Sequence, residues 1–464
     1  MKSVLRRNNF RKYLETDRSF YRKLVSIALP VAAQSVITTG VNLIDTIMLG
    51  QLNETALSAS SLANQFIMLF MFVCMGISMG ASVLSSRYWG AKNLTELKKV
   101  IAIALRFGLL LASLFMTVNI AAPEWIMRFY IQDEAVIAAG ADYLRWSTIT
   151  YLLMAMTTVT TNIMRSVGLN RIPFISACCA FFVNIGANYA FIFGRLGMPA
   201  MGVSGAAVGT VIARIAEFSI ICGYFYLHDR TVCFRFPDLF IRCGGLVREF
   251  FRISVPVMLS DGLLGVGDNV LAAIMGRIGS SFVSANSITN VVSRVSTIFI
   301  TGLAYAGCFI TGQTLGEKDV EGAKRQGNTF LLLGLVIGLL ASFIILVISG
   351  PLISFYKISD ETYEIARELM FGISLIIIFR STNSILTKGV LRGGGDTRFL
   401  LISDTTTMWL VSIPLGALAA LVLKMSPFWV FIFLHADQIV KAVWCVFRLR
   451  SGKWIKKIKG ADLE

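Results

Sequence analysis

One acidic residue stands in an otherwise apolar run near the start of the chain: Asp45, in Val41-Asn42-Leu43-Ile44-Asp45-Thr46-Ile47-Met48-Leu49-Gly50. Further on, Asn184 and Asn188 are spaced four apart, which puts both side chains on one face of a helix. Thr210 follows in the next apolar run. One carboxylate with amide and hydroxyl oxygens at similar depth is what a hard monovalent cation needs in place of its water. The same carboxylate can instead take up a proton. The competing reading makes Asn184, Asn188 and Thr210 interhelical hydrogen-bond partners, with Asp45 merely facing a wet cavity.

The elements that must position these residues are membrane helices. Apolar residues make up 55% of the 464 and charged residues only 15%, too few to coat a soluble protein of this length. The apolar residues come in blocks near the roughly 20 residues that cross a bilayer as a helix. Twelve such segments fall at about 24–49, 57–83, 97–122, 136–162, 172–194, 201–227, 250–276, 283–312, 325–350, 362–388, 398–423 and 428–450. None shows the every-second-residue alternation of a membrane β-barrel. The expected fold class is an all-α integral membrane protein. Counting a rise of about 1.5 Å per residue, Asp45 lies roughly 7 Å below the outer boundary, Asn184 and Asn188 about 15 and 9 Å, and Thr210 about 13 Å.

The net charge of +16 invites a nucleic-acid reading, but its distribution argues against one. Most of the 43 lysines and arginines fall in the two tails and in the connections near 84–99, 163–171, 228–252, 313–325 and 388–398. The connections on the other side hold Arg128, Arg195, Arg277, Lys357 and Lys424. This is the positive-inside asymmetry, and it puts both termini in the cytoplasm. The basic charge thus reports topology and contact with anionic lipid heads. A basic stretch (Arg6, Arg7, Arg11, Lys12) precedes a first apolar segment that is too long for a signal-peptide core and reads as a retained helix.

The chain repeats itself. At an offset of 226, Arg22 meets Arg248, Pro30 meets Pro256, Gly50 meets Gly276 and Ser58–Asn64 meets Ser284–Asn290. Gly90–Leu94 meets Gly316–Val320 on the same register, and at 227 Met164–Arg171 meets Leu391–Arg398. The expected organisation is a cytoplasmic tail 1–23, a lobe 24–227 of six helices, a cytoplasmic linker 228–249, a second six-helix lobe 250–450 and a tail 451–464. Six is even, so the two homologous lobes share one orientation and are expected to be related by a pseudo-two-fold axis along the membrane normal with a cavity between them. The first lobe's oxygen donors have no equal in the second: Asp45 meets Leu271, Asn184 meets Val411, Asn188 meets Leu415 and Thr210 meets Asp437.

A charge at mid-helix in a membrane costs roughly 2.5–3.5 kcal/mol on insertion scales, so each needs a reason. Besides Asp45 the candidates are Arg145, Arg214 with Glu217, Asp261, Asp268, Arg294, Arg380, Asp404, Asp437 and Lys441. Arg214 and Glu217 at i, i+3 read as a structural pair, and Asp437 and Lys441 at i, i+4 as a self-neutralising one. Asp261, Asp268 and Asn269 lie among Gly262, Gly265 and Gly267, a bendable stretch beside a polar path. Arg294 and Arg380 are possible counter-charges for Asp261, Asp268 or Asp404.

The eight cysteines (Cys74, Cys178, Cys179, Cys222, Cys233, Cys243, Cys308, Cys445) form no CxxC pair and read as small buried hydrophobes. His228 and His435 are far apart, so a resident metal is not expected beyond Na+ at the four oxygen-donor residues. No HExxH appears, neither histidine has a placed partner, and there is no filter-like loop, which sets aside an intramembrane enzyme and a channel.

Taken in order on the doubled six-helix pattern, several motifs resemble the multidrug and toxic compound extrusion (MATE) family over about 20–455. They are Pro30 with Gln34, Asp45-Thr46-Ile47-Met48-x-Gly50, and the Arg165-x-x-Gly168 and Arg392-x-x-Gly395 turns. Asn184-x-x-x-Asn188-x-x-x-Ile192-Phe193-Gly194 and Gly202-x-x-Gly205-Ala206-Ala207-x-x-Thr210 complete the set. The resemblance implies a twelve-helix antiporter of the prokaryotic cell membrane, monomeric and without cofactor, that expels cationic or amphipathic organic compounds by alternating access against inward Na+ or H+. It maps the coupling-ion site of one branch onto Asp45, Asn184, Asn188 and Thr210. Substrate-cavity candidates are Gln34, Asp261, Asp268, Asn269, Arg294, Arg380, Asp404, Asp437 and Lys441. Two departures stand out. Some relatives carry a second aspartate where this chain has Asn188, and the acidic residue of another branch, counted from Pro256, falls three residues after Asp261. The rival within the superfamily is a lipid-linked oligosaccharide flippase, whose pyrophosphate would use Arg294, Arg380 and Lys441.

Overall fold

The computed structural model describes residues 13–52, 54–356 and 358–458. The basic stretch Arg6, Arg7, Arg11, Lys12, the connection residue Lys357 and the end of the C-terminal tail lie outside the described residues. Helices dominate, and no strand occurs among the described residues. In the first half they are α1 (Arg18–Gly50), α2 (Glu54–Gly90), α3 (Leu94–Ala121), α4 (Pro123–Tyr130), α5 (Glu134–Ser147), α6 (Thr150–Ser166), α7 (Arg171–Phe193) and α8 (Val203–Gly223). The second half has α9 (Leu246–Ile278), α10 (Ser280–Gly316), α11 (Val320–Ser354), α12 (Asp360–Ser384), α13 (Thr397–Thr406), α14 (Ile413–Ala417), α15 (Pro427–Leu434) and α16 (Ala436–Arg450). Ten helical spans among the described residues are long and apolar enough to cross a membrane, and α15 with α16, bent by 41°, make an eleventh.

Two expected continuous spans are broken, each for a local reason. Segment 136–162 is realised as α5 and α6, parted at Thr148 and Ile149. The Leu144 carbonyl, which a continuous helix would give to the Thr148 amide, instead accepts from the Asn119 amide (2.7 Å) and the Thr148 hydroxyl (3.1 Å). Side-chain donors have displaced the backbone ladder. Segment 428–450 bends at His435, and the Asp437 amide leaves the helix to donate to Ser412 Oγ at 2.7 Å.

The one-residue slip in repeat register, from 226 to 227, has a structural counterpart as well. The second half carries a π-helical turn at Ile385–Leu391, where the first half's α6 stays α-helical. A single extra residue in a helix is accommodated by such a turn. Two more π turns, Thr407–Ser412 and Leu418–Val422, lie on either side of α14. In both Arg-x-x-Gly turns the glycine has positive φ, +89° at Gly168 and +84° at Gly395, a conformation that side chains with a Cβ rarely adopt.

The chain forms two compact units. The first comprises Ala33–Ser85 and Asn93–Met258; the second comprises the described parts of Met1–Ala32, Ser86–Lys92 and Leu259–Glu464. These limits differ from the lobe boundaries 24–227 and 250–450: they cut α1 after Ala32 and α9 after Met258, positions that are mates in the repeat. Close packing explains the cut. In the second unit a Cβ on Gly302 of α10 would lie 2.4 Å from the Ala28 carbonyl oxygen. In the first, a Cβ on Gly76 of α2 would lie 2.6 Å from Met258 Cβ. Gly76 and Gly302 are themselves repeat mates, so the early part of each repeat's first helix packs on the other repeat's second helix.

The first unit's core gathers Leu49, Ala59, Ala63, Met127, Ile137, Tyr143, Leu144, Ile192 and Ala206. The linker runs over α3 in this unit. Arg106 donates to the carbonyl oxygens of Leu239 (2.6 Å) and Ile241 (2.8 Å), and Lys98 pairs with Asp238 at 2.8 Å.

Candidate ion-coupling and substrate residues

Helix α1 brings Asp45 beside α7. The Asn188 amide donates to Asp45 Oδ1 at 2.5 Å and to Asn184 Oδ1 at 3.3 Å, so the i, i+4 pair and the carboxylate form one hydrogen-bonded group. Asn184 and Asn188 are buried, while Asp45 is partly accessible. Asn188 Oδ1 is buried without a hydrogen-bond partner among the described residues. It lies against Gly209 of α8, where a Cβ would come within 2.0 Å of that oxygen. Thr210, the next residue, joins through Tyr143 of α5, whose side chain is buried with Thr210 and Asn64 beside its hydroxyl and Asp45 in electrostatic range. Nothing in the spacing singled out Tyr143 or Asn64. Tyr143 sits in an ordinary amphipathic run, and only the fold turns it toward Asp45.

Chemically the group offers one carboxylate, the Asn184 amide oxygen and the Thr210 and Tyr143 hydroxyls. The orphaned Asn188 oxygen completes the set, and an unsatisfied buried acceptor is costly unless something comes to it. Arg214, one turn after Thr210, is paired with Glu217 at 2.6 Å as its spacing predicts.

The second unit sorts its charges in ways that the spacing did not anticipate. Lys441 pairs with Asp404 of α13 at 2.9 Å and not with Asp437. Asp404 also accepts from Ser260. Asp437 is held by the Ser412 hydroxyl (2.8 Å) and the Gln438 amide (2.5 Å), and Gln438 in turn accepts from Asn383. Asp261 pairs with Arg392 at 3.2 Å, so Arg294 and Arg380 are not its counter-charges. Arg380 donates to Ser293 Oγ at 2.7 Å. Asn269 donates to its own helix at the Gly265 carbonyl oxygen (2.8 Å), and Asp268, Asn269 and Arg294 are exposed on the unit. Spacing along one helix does not show partners on another: Arg392 follows the π turn at Ile385–Leu391, Ser412 ends the one at Thr407–Ser412, and Asp404 lies on α13.

Gln34 also has a partner. It accepts from Arg165, and the contact spans the same 131 residues as Asp261 to Arg392. Arg145, one of the expected membrane charges, is half exposed and paired with Glu124 and Asp142. A cavity of about 620 Å³ in the first unit, between α2, α3 and the start of α9, is apolar and touches none of the candidates. The polar cluster at Asp45, not this hollow, is the chemical feature of the unit.

A family model described as MatE matches residues 30–190 and 256–441, most of the chain. The chain belongs to the MatE family. Its two matched stretches begin at the repeat-related prolines Pro30 and Pro256, as expected if the family's unit is the six-helix repeat. Among MatE-family relatives, a probable multidrug resistance protein NorM of Thermotoga maritima is 25% identical over 98% of this chain and 97% of its own length. A probable multidrug resistance protein YoeA of Bacillus subtilis is 24% identical over 86% of each. The solved outward-facing structure of a multidrug resistance MATE family transporter of the MOP superfamily superposes with a TM-score of 0.83, covering 95% of this chain and 99% of that one at 17% identity. At that identity the likeness shows the fold. Together with the apolar spans it makes the chain a multi-pass membrane protein.

Proposed function

We propose that this MatE-family chain is a multidrug efflux transporter that exports organic cations and amphiphiles across the cell membrane, exchanging them for inward Na+ or H+ by alternating access. The observation that carries the reading is the Asp45–Asn188–Asn184 group, a lone carboxylate among oxygen donors in a membrane helix, absent from the second repeat. The names of the NorM and YoeA relatives support the substrate class. Transport needs no covalent step and no cofactor. The chain acts as a monomer with both termini in the cytoplasm, in keeping with the lysine and arginine asymmetry.

The ion does its work by changing what Asp45 can bind. A proton on Asp45 removes the charge that makes its bond to Asn188 strong, since charge-assisted hydrogen bonds are roughly twice as strong as neutral ones. A sodium ion instead draws on the carboxylate, Asn184 Oδ1 and the Thr210 hydroxyl, and pulls the Asn188 oxygen in place of its amide. Either event loosens or re-forms the tie between α1 and α7, so α1 shifts and substrate affinity falls on the outward-facing side. One elementary charge moving inward supplies about 2.3 kcal/mol per 100 mV, enough to sustain a roughly fiftyfold gradient of a substrate without net charge, whereas a monovalent organic cation exchanged one for one is driven by the ion's concentration gradient alone. The pyrophosphate rival loses one of its three cations, because Lys441 is neutralised by Asp404.

The test uses the purified chain in liposomes, with a cationic dye and with Na+ and H+ gradients imposed separately. One gradient should drive dye transport, and Asp45→Asn should abolish that drive with protein yield unchanged. Gradient-driven transport that persists in Asp45→Asn removes Asp45 from the mechanism. No drive from either gradient removes ion coupling.

A further inference from the structure

The second unit contains a cavity of about 470 Å³ walled by three separate stretches of chain. The start of α11 supplies Lys324, Asn328 and Leu331, which at i, i+4 and i+7 share one helix face. The end of α16 and the turn after it supply Leu449, Arg450 and Gly452, and Tyr13 comes from the segment before α1. These walls are pinned. Gly452 reverses the chain at a φ of +67°, a conformation that favours glycine, and the fully buried Trp454 beyond it donates to the Leu449 carbonyl oxygen at 3.0 Å. The Tyr13 carbonyl oxygen accepts from the Asn328 amide at 3.2 Å, and the Glu15 amide donates to Thr329 Oγ1 at 2.8 Å.

The repeat shows what this cavity could take. Helices α3 and α11 start on one register: their caps, Asn93 and Asp319, are mates at the 226 offset, and each accepts from the amide three residues on. Lys98 and Lys324 are therefore mates too. In the first unit the linker brings the Asp238 carboxylate to Lys98 at 2.8 Å. In the second, the acid on Lys324 among the described residues is Glu321 of its own helix, at 2.7 Å, with side chains 45% and 73% exposed. An exposed pair of that kind is weak. Arg450 is exposed and, among the described residues, has neither an ion pair nor a side-chain hydrogen bond. Two cations thus line an opening to which the chain brings no second carboxylate.

Depth points to the source of the anion. Lys324 is about 6 Å from the start of α11 and Leu331 about 17 Å, and the exposed apolar run Leu332, Leu335, Val336 begins two turns beyond Lys324. The cavity therefore passes from the headgroup layer toward the hydrocarbon, on the side rich in lysine and arginine. Free phosphate has no use for Leu331 and Leu449, whereas a lipid does, and anionic lipids are drawn to cations at this level. We infer that the cavity binds an anionic phospholipid of that leaflet, its phosphate on Lys324 and Arg450 in the manner of Asp238 on Lys98, and its first methylenes on Leu331 and Leu449. The inference does not depend on the export reading, and no cavity residue belongs to the ion or substrate candidates.

Native mass spectrometry of the full chain in detergent, with dioleoyl phosphatidylglycerol or dioleoyl phosphatidylcholine added, reads the affinity of the first bound lipid. A cation at a membrane surface is worth about a fivefold gain for an anionic lipid, so the unaltered protein should bind phosphatidylglycerol roughly twentyfold more tightly than phosphatidylcholine. Lys324→Gln with Arg450→Gln should abolish that preference. Arg248→Gln with Arg252→Gln, which removes two exposed arginines outside the cavity, should keep it. A preference absent from the unaltered protein, retained without Lys324 and Arg450, or lost equally in the control pair overturns the inference. Glycerol 3-phosphate in large excess should leave the lipid bound; displacement by it would make the cavity a site for free phosphate and overturn the lipid assignment.

Discussion

The pair between Lys441 and Asp404 gives a prediction whose size follows from burial. Their side chains are only 7% and 6% exposed, at 2.9 Å, and the remaining carboxylate oxygen of Asp404 takes the Ser260 hydroxyl. Lys441→Met keeps the apolar stem and removes the ammonium, leaving an ionised carboxylate with one neutral donor. Breaking a buried pair from one side costs about 3–5 kcal/mol, whereas removing both charges is often close to neutral. For a unit of this size each kcal/mol moves a thermal midpoint by about 2–4 °C. Lys441→Met should therefore melt roughly 6–20 °C lower than the parent, read as loss of the monodisperse peak on heating and size-exclusion chromatography in detergent. Asp404→Asn strands the ammonium and should behave similarly. The double variant should return to within a few degrees of the parent, giving a coupling of about 2 kcal/mol or more. Losses that simply add in the double variant, or singles that melt with the parent, would refute the claim that these charges hold each other.

Three further outcomes are expected. Gly209→Ala should push Asn188 away from Asp45, since the new methyl would meet Asn188 Oδ1 at 2.0 Å; gradient-driven dye transport in liposomes should drop at least tenfold, and unchanged transport would show that the Asn188–Asp45 bond is not used. Arg106→Ala removes both carbonyl ties to the linker, so trypsin should cut the variant at Arg230, Arg235 or Arg242 many times faster than the parent; equal rates would mean that other contacts hold the strap. Burial pushes the Asp238 carboxyl up, but the Lys98 ammonium and the Arg235 amide outweigh it and hold the group below its usual value. A depressed carboxylate contributes stability that is complete above about pH 4 and is lost as pH falls through the folded value, so cleavage of the linker by pepsin should rise below pH 4 in the parent and depend less on pH in Lys98→Ala.

Much of the scaffold was legible because the bilayer is a harsh solvent. Apolar length and the 226-residue echo sufficed to place the helices and the repeat. The cluster at Asp45 was legible for a related reason: Asn184 and Asn188 share a helix face by spacing alone, and a lone carboxylate in an apolar run is conspicuous. Tyr143 was not, because a tyrosine in a helix carries no mark of the group it will face. The charge partners in the second unit were misjudged for a different cause. Lys441 sits at i, i+4 from Asp437, but a pairing argument along one helix ignores the neighbouring helix α13 and the π turn after it, from which Asp404 meets Lys441 and Ser412 meets Asp437. The break at Thr148 was hidden likewise, since it depends on Asn119 from another helix reaching the Leu144 carbonyl.

The repeat is obeyed in packing and violated in chemistry, and the two facts bear on each other. Both first helices are divided after repeat-related residues, Ala32 and Met258, just beyond Pro30 and Pro256. A proline inside a helix removes one backbone hydrogen bond and leaves the segment beyond it freer to reorient. In each half an arginine from the Arg-x-x-Gly turn then grips that segment, but the grips differ. Arg392 holds α9 through the carboxylate of Asp261, while Arg165 holds α1 through the neutral amide of Gln34. An ion pair in a half-buried setting is harder to open than a bond to an amide. The helix tied through an amide, α1, is the one that carries Asp45. On the proposed mechanism the ion-binding residue Asp45 thus lies on the helix whose turn arginine meets an amide, and not on the one whose turn arginine meets a carboxylate.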